Sequence, residues 1–213
     1  MNIEYDITDI KEINSKRRLI YINYEPAFAL YPSEIRRFSI KKDTILSENS
    51  FLEITDELLP KRAKIRAMNL LKSKDYTVAE LRKKLKDTYY PDSAVESAID
   101  YVSAYGYLDD LRYAENYVNF KGTRKSRKQV ELFLRNKGIE HTIIEQVCSS
   151  YYEENCDMEL NQAVEYLQKK TRLKDIRCLD YTEKSKLCAY LYRNGFSMDI
   201  VRKALDIVVE AQS

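Results

Sequence analysis

Three stretches of this chain can be laid over one another, and that recurrence narrows the folds open to it more than any other feature. They are TVAELRKKLKDTYYPDSAVESAI from Thr77, SRKQVELFLRNKGIEHTIIEQV from Ser126 and EKSKLCAYLYRNGFSMDIVRKAL from Glu183. Leu81, Val130 and Leu187 coincide, and four residues later so do Leu85, Leu134 and Leu191. Apolar residues four apart lie on one face of a helix. Gly138 and Gly195 follow in register, with Tyr89 at the matching place in the first copy. A second apolar set comes next: Val95/Ile99, Ile143/Ile144/Val147 and Ile200/Val201/Leu205. The spacing between copies is loose, 49 and then 57 residues. A further helical pattern precedes each copy, from Lys61, Asp110 and Asp157, so the chain reads as nine helices in three units of three. One such unit buries little apolar surface alone, and stacked units bury more, which predicts an elongated, curved array.

Cap chemistry points to the same helix starts. Thr77 followed by Glu80, and Ser126 followed by Gln129, have capping-box spacing: a hydroxyl takes the amide three residues on, and the longer side chain reaches back. Ser197 is placed to cap the last helix. Gly138 and Gly195 suit helix ends, where a left-handed residue is needed. In GYLDDLRYAENYV, Asp109 and Asp110 can be read as a catalytic or metal-binding pair. No His, Cys or further acid accompanies them at ligand spacing, and an N-cap with a first-turn carboxylate accounts for both.

Residues 1–60 read differently. RRLIYINYEPAFALYP is rich in β-branched and aromatic residues with rough alternation, and Glu25-Pro26 falls where a hairpin turn is expected. IRRFSIKKDTILS can add a short helix or another strand, and Pro60 marks the boundary to the helices. The predicted organisation is a β-rich region over 1–60 and three-helix repeats over 61–109, 110–152 and 153–213. Only four glycines and four prolines in 213 residues agree with a mainly helical fold.

The composition excludes several functions. No apolar run approaches the roughly 20 residues that span a bilayer, and MNIEYDITDIKEI has neither the basic start nor the apolar core of a signal peptide. Cys148, Cys156, Cys178 and Cys188 form no C-x-x-C pair and have only His141 as a possible companion, which predicts free, mostly buried thiols in a reducing cytoplasm rather than zinc. No glycine loop suited to phosphate is present. His141, beside Glu140, reads as a turn residue, and no catalytic residue, metal or cofactor is expected.

Charge gives the functional lead. Residues 61–150 hold 18 basic against 12 acidic residues, although the whole chain is only +2. One cluster is Arg82, Lys83, Lys84 and Lys86. A second is Lys121, Arg124, Lys125, Arg127 and Lys128, continued by Arg135 and Lys137, and a third is Lys169, Lys170, Arg172 and Lys174. The first two fall at corresponding places of adjacent repeats, where they can meet phosphates or acidic side chains. Tyr89, Tyr90, Tyr101, Tyr105, Tyr107, Tyr113 and Tyr117 are expected mostly as core or helix-packing residues, with a few as interface anchors.

The run GYLDDLRYAENYV followed by SRKQVELFLRNKGI resembles the signature of the RecX family, bacterial regulators of the RecA recombinase. The resemblance lies in Gly106 to Asp110, Arg112-Tyr113-Ala114 and Lys137-Gly138-Ile139, and TVAELRKKL from Thr77 is similar to the first-repeat motif. Ser126 stands where the family often has glycine. The third repeat matches by pattern alone, around a long insertion over 171–182. The resemblance implies tandem three-helix modules that bind RecA or the RecA–DNA filament, block its extension or promote its disassembly, and perform no catalysis themselves, with the protein acting as a monomer. A helical module that binds bare single- or double-stranded DNA without RecA is the alternative.

Overall fold

The computed structural model describes residues 4–171 and 176–211. The N-terminal strands β1 (Tyr5–Asn14), β2 (Arg17–Ile22), β3 (Glu25–Leu30) and β4 (Thr44–Leu46) form one antiparallel sheet in the order β3-β2-β1-β4. A short helix, α1 (Pro32–Arg37), lies between β3 and β4. The stretch IRRFSIKKDTILS therefore supplies both a helix end and a strand.

The hairpin turn is not at Glu25-Pro26. Asn23 and Tyr24 make it, both at positive φ (51° and 69°). A two-residue hairpin loop needs positive φ to match strand twist, and asparagine tolerates that region while proline cannot adopt it. Asn23 Nδ2 donates to the Glu4 carbonyl (3.1 Å), and its Oδ1 accepts from the Asp6 amide (3.2 Å). Pro26 instead lies in β3, an edge strand, where a missing N–H is tolerated.

Pro60 does not open the helical part either. Helical backbone already runs through α2 (Glu48–Leu52) and a π-helical turn (Glu53–Leu58) into α3 (Leu59–Leu71). Proline cannot donate to the carbonyl four residues back. The wider turn just before it, closed by the Leu59 amide on the Ile54 carbonyl, carries the helix past that missing bond.

From α3 onward come α4 (Val78–Lys86), α5 (Asp92–Ala104), α6 (Asp110–Lys121), α7 (Arg127–Asn136), α8 (His141–Glu154), α9 (Cys156–Thr171), α10 (Tyr181–Arg193) and α11 (Met198–Glu210), with a 3-10 turn at Ile176–Cys178. These are three successive three-helix groups, so the protein is mainly helical with a small antiparallel sheet. None of the described helices is long and apolar enough to cross a membrane.

The chain divides into two compact units, 1–109 and 110–213. In the first, the sheet and α3–α5 share one core. Ile7, Ile20, Phe28 and Leu30 from the sheet belong to the same cluster as Ile54, Leu59, Leu81, Leu85, Val95 and Val102. Ala63, Ala67, Ala94 and Ala98, all fully buried, line α3 and α5 and let these helices approach closely. The Arg62–Glu34 ion pair (2.8 Å) ties α3 to α1, and both side chains are largely buried. The second unit has two cores. Val118, Val130, Leu134 and Val147 are in one, and Leu167, Leu191, Phe196 and Val201 are in the other.

The repeated apolar positions occupy the equivalent places that the alignment predicts: Leu81, Leu85, Val130, Leu134 and Leu191 are fully buried and Leu187 is 8% exposed. Gly138 and Gly195 have φ of 77° and 92°, and Tyr89, their counterpart, adopts φ of 62° despite its side chain. The three cysteines whose side chains are described are less buried than expected. Cys148 is buried, Cys188 is half-buried and Cys178 is exposed.

Candidate interaction surface

The helix starts position the basic clusters, and they are built in two different ways. At α4, Thr77 Oγ1 accepts from the Glu80 amide (3.2 Å) and Glu80 Oε2 accepts from the Thr77 amide (3.4 Å), so the expected capping box is formed. At α7 it is not. Ser126 occupies the N-cap, but its hydroxyl makes no cap bond and donates instead to the Asn194 carbonyl (2.7 Å). Gln129 Nε2 lies 3.4 Å from Asn194 Oδ1, and the orphan amide of Arg127 is taken by Glu159 Oε1 (3.2 Å). The residues expected to close their own helix start thus fasten the second repeat to the third. The α10–α11 turn comes so close that a Cβ on Gly195 would meet the Ser126 hydroxyl at 2.5 Å and Lys128 Cβ at 2.9 Å. Two cap sites are reproduced elsewhere: Ser197 accepts from the Ile200 amide (3.3 Å), and Asp180 with Glu183 forms a capping box at α10 that the repeat pattern missed. Asp110 opens α6, with its carboxylate in the first turn beside Asp109.

In the first repeat the four cations of α4 separate into two pairs. Arg82 makes a bidentate bond to Glu96, with both contacts 2.8 Å, and its guanidinium holds that carboxyl below its ordinary range. Lys86 pairs with Asp92 at 2.9 Å. Lys83 and Lys84 are exposed, and they have no ion-pair partner among the described residues.

The second repeat divides in the same way. Arg127 Nε bonds Glu131 Oε1 at 2.8 Å, and an Nη bonds Ser149 Oγ at 3.0 Å. The bond to Glu131 holds the guanidinium above its ordinary value. Burial pushes the Glu159 carboxyl up against the opposing pull of Arg127, and burial likewise raises the Cys148 thiol to about 11. Arg82, Lys86 and Arg127 are therefore committed within their own units.

Four further cations of this repeat, Lys121, Lys125, Lys128 and Lys137, lie over aromatic rings. Lys125 Nζ is 5.8 Å and Lys137 Nζ 5.4 Å from the centre of Phe133, whose ring stacks on Tyr117 at 4.0 Å. Lys128 lies 5.3 Å from Tyr192, a ring that is 55% exposed. Lys121 is 4.4 Å from Phe120, which is 71% exposed. Arg124 and Arg135 are exposed. A cation over an aromatic face keeps its charge available while the ring supplies apolar contact. Phe133 and Lys137, the residue that caps the end of α7, are four apart, a spacing visible in the sequence. The Lys128–Tyr192 contact joins two repeats and has no local signal.

Of the third cluster, Lys169 pairs with Glu165 (3.0 Å) and Lys170 lies 5.1 Å from Tyr190. Arg172 and Lys174, with part of the 171–182 insertion, fall outside the described residues. The tyrosines divide: Tyr90, Tyr113 and Tyr117 pack against the cores, and the other four do not. None of the seven singled out is fully buried, and Tyr89, Tyr101, Tyr105 and Tyr107 are exposed. Tyr101, Tyr105 and Tyr107 form a row with centroid spacings of 4.9 and 6.3 Å. His141 opens α8 as its first residue rather than lying in the turn, and its Nδ1 is 3.6 Å from Glu145 Oε2. No His, Cys, Asp and Glu group among the described residues is arranged to hold a metal ion.

Comparison with known proteins gives the geometry a context. The chain is 29% identical over 200 residues to "Regulatory protein RecX" of Caldanaerobacter subterraneus, covering 93% of this chain and 96% of that one. It is 29% identical over 205 residues to the Bacillus pumilus protein of the same name, with 93% and 75% coverage. A crystal structure of regulatory protein RecX shares the fold with a TM-score of 0.63 at 23% identity, covering 96% of this chain and all of that one. RecX from Lactobacillus salivarius gives 0.61 at 22% identity, with 70% and 96% coverage. Descriptions of the first, second and third three-helix domains of RecX match residues 63–101, 109–147 and 157–205, one on each helical group. These three consecutive matches span more than half the sequence, and on them the chain belongs to the RecX family.

Proposed function

We propose that this chain is a non-enzymatic regulator that binds RecA or RecA–DNA filaments and restrains filament growth, and with it ATPase and strand exchange. The observation that carries the reading is the set of uncommitted cations on a chain of three RecX three-helix domains: Lys83 and Lys84 on α4, and Lys125 and Lys128 at α7 with their aromatic neighbours Phe133 and Tyr192. Each of these two sets, taken within its own unit, suits phosphates or acidic side chains of a filament. Regulation then follows from unequal affinity for filament states. The protein acts in the cytoplasm as a monomer and needs no cofactor.

The test is RecA's DNA-dependent ATPase, with cosedimentation on single-stranded DNA, as this protein is added. ATPase is expected to fall, and the protein to sediment with filaments. Lys83→Glu, Lys84→Glu, Lys125→Glu and Lys128→Glu combined should weaken cosedimentation about tenfold or more, since each lost phosphate contact acts through counterion release. Unchanged ATPase up to one copy per RecA protomer would sink the reading. Tight, steeply salt-dependent binding to bare duplex or single strands, with no preference for filaments, would favour the DNA-binding alternative instead.

A further inference from the structure

The second unit has a cavity that the basic surface does not use. It lies where the α8–α9 connection meets the loop after α6, and its volume is about 440 Å³. Its polar lining is dominated by acceptors. Glu154 and Asp157 contribute carboxylates, Glu165 adds one that Lys169 pairs at 3.0 Å, and no lysine or arginine is in the lining. Two side-chain amides each have one N–H engaged. Asn155 Nδ2 donates to the Tyr151 carbonyl (2.8 Å), and Gln162 Nε2 donates to the Gly122 carbonyl. Gln162 is only 5% exposed, and its Oε1 has no hydrogen-bond partner among the described residues. Buried acceptors in native proteins nearly always have a donor, so this wall calls for a donor-rich ligand.

We propose that this cavity receives an arginine side chain carried on a segment of a partner protein. The carboxylates do not converge tightly enough to hold a metal ion, so the cation must be broad. A planar guanidinium with five donors can reach several separated acceptors at once, whereas an ammonium is a compact point charge. The flanks favour a polypeptide over a free small cation. A second cavity, between α6 and α8, shares Glu154, and a third, along α9 and α10, shares Thr123, Gln162 and Glu165. Together they make a track past the acidic cavity in both directions. Arg124 and Lys169 line the third cavity, and Lys169 is the partner of Glu165. This proposal is independent of the RecA reading and needs no filament to test.

The test is a nuclear magnetic resonance titration of the isotope-labelled full chain with the peptide acetyl-Gly-Arg-Gly-amide. Acetyl-Gly-Lys-Gly-amide and spermidine are the other arms. The arginine peptide should produce saturable shifts of the Gln162 side-chain amide and of backbone amides over 154–165. The lysine peptide and spermidine should bind these residues at least about fivefold more weakly, because their ammonium groups are point charges without a planar fork of donors. Glu154→Gln with Asp157→Asn alters two exposed side chains and should weaken arginine-peptide binding about tenfold, with the rest of the spectrum unchanged. Absence of saturable shifts at these residues, an equal response to spermidine, or an unaffected double variant would each overturn the proposal.

Discussion

Ser126 has one oxygen and two possible employers, and its hydrogen bond goes to the more distant. Were it an ordinary N-cap, aspartate would replace it well, since both side chains cap helices about equally. In the structure the hydroxyl is a fully buried donor to the Asn194 carbonyl. Aspartate cannot donate there, and its charge would face a carbonyl oxygen without water. Ser126→Asp is therefore expected to cost more than Ser126→Ala, which itself should cost about 1–3 kcal/mol for the orphaned carbonyl. Chemical denaturation of the two variants checks the order, and the reverse order would restore the cap reading. The two partners are 68 residues apart in sequence, which is why Ser126-x-x-Gln129 looked self-contained. Thr77 and Glu80 have the same spacing and do bond to each other.

At the scale of the element, α7 shows how far a helix can be read from its own residues. Its buried stripe, Val130 and Leu134, and its left-handed end at Gly138 follow local rules, and both were legible from the repeat. The division of its cations was not. Arg127 and Lys128 are neighbours in sequence, yet the first bonds Glu131 and Ser149 while the second lies beside Tyr192. Helix spacing exposes the Glu131 contact at i+4, but Ser149 and Glu159 reach Arg127 only through the packing of α8 and α9. The same limit put the hairpin turn at Glu25-Pro26, where proline's turn preference outweighed the positive φ that Asn23 supplies. The division of charge predicts different outcomes for similar changes. Lys125→Glu and Lys128→Glu should each shift stability by no more than about 0.5 kcal/mol, as exposed substitutions do. Arg127→Glu sets a carboxylate against Glu131 and Glu159 and should cost about 1–3 kcal/mol. Equal unfolding midpoints for all three would show that Arg127 holds nothing together.

Across the whole molecule, the two compact units each carry a carboxylate of opposite temper, and the contributions of these two groups to stability respond to pH with opposite signs. In the first unit Arg82 depresses Glu96, chiefly through its hydrogen bonds. A carboxyl whose folded value is lowered contributes stability that is present above its unfolded value and is lost as pH falls through the folded one. In the second unit burial raises Glu159. Its favourable contribution is complete below the unfolded value and disappears as pH rises through the raised folded value, so at neutral pH the ionised group is a burden. Glu159→Gln removes that charge and keeps an oxygen to accept the Arg127 amide. It should raise the stability of the second unit at pH 7, with the gain shrinking toward nothing below about pH 4, where the unfolded carboxyl is itself protonated. Glu96→Gln should lower the stability of the first unit at pH 7 by the loss of an exposed pair, a small effect by nature, and it too should converge with the parent in acid. Hydrogen exchange followed across this pH range resolves the units separately. A fall in second-unit protection for Glu159→Gln at pH 7 would mean that its bond to the α7 amide depends on the charge, and that the carboxylate stabilises the junction between the second and third repeats.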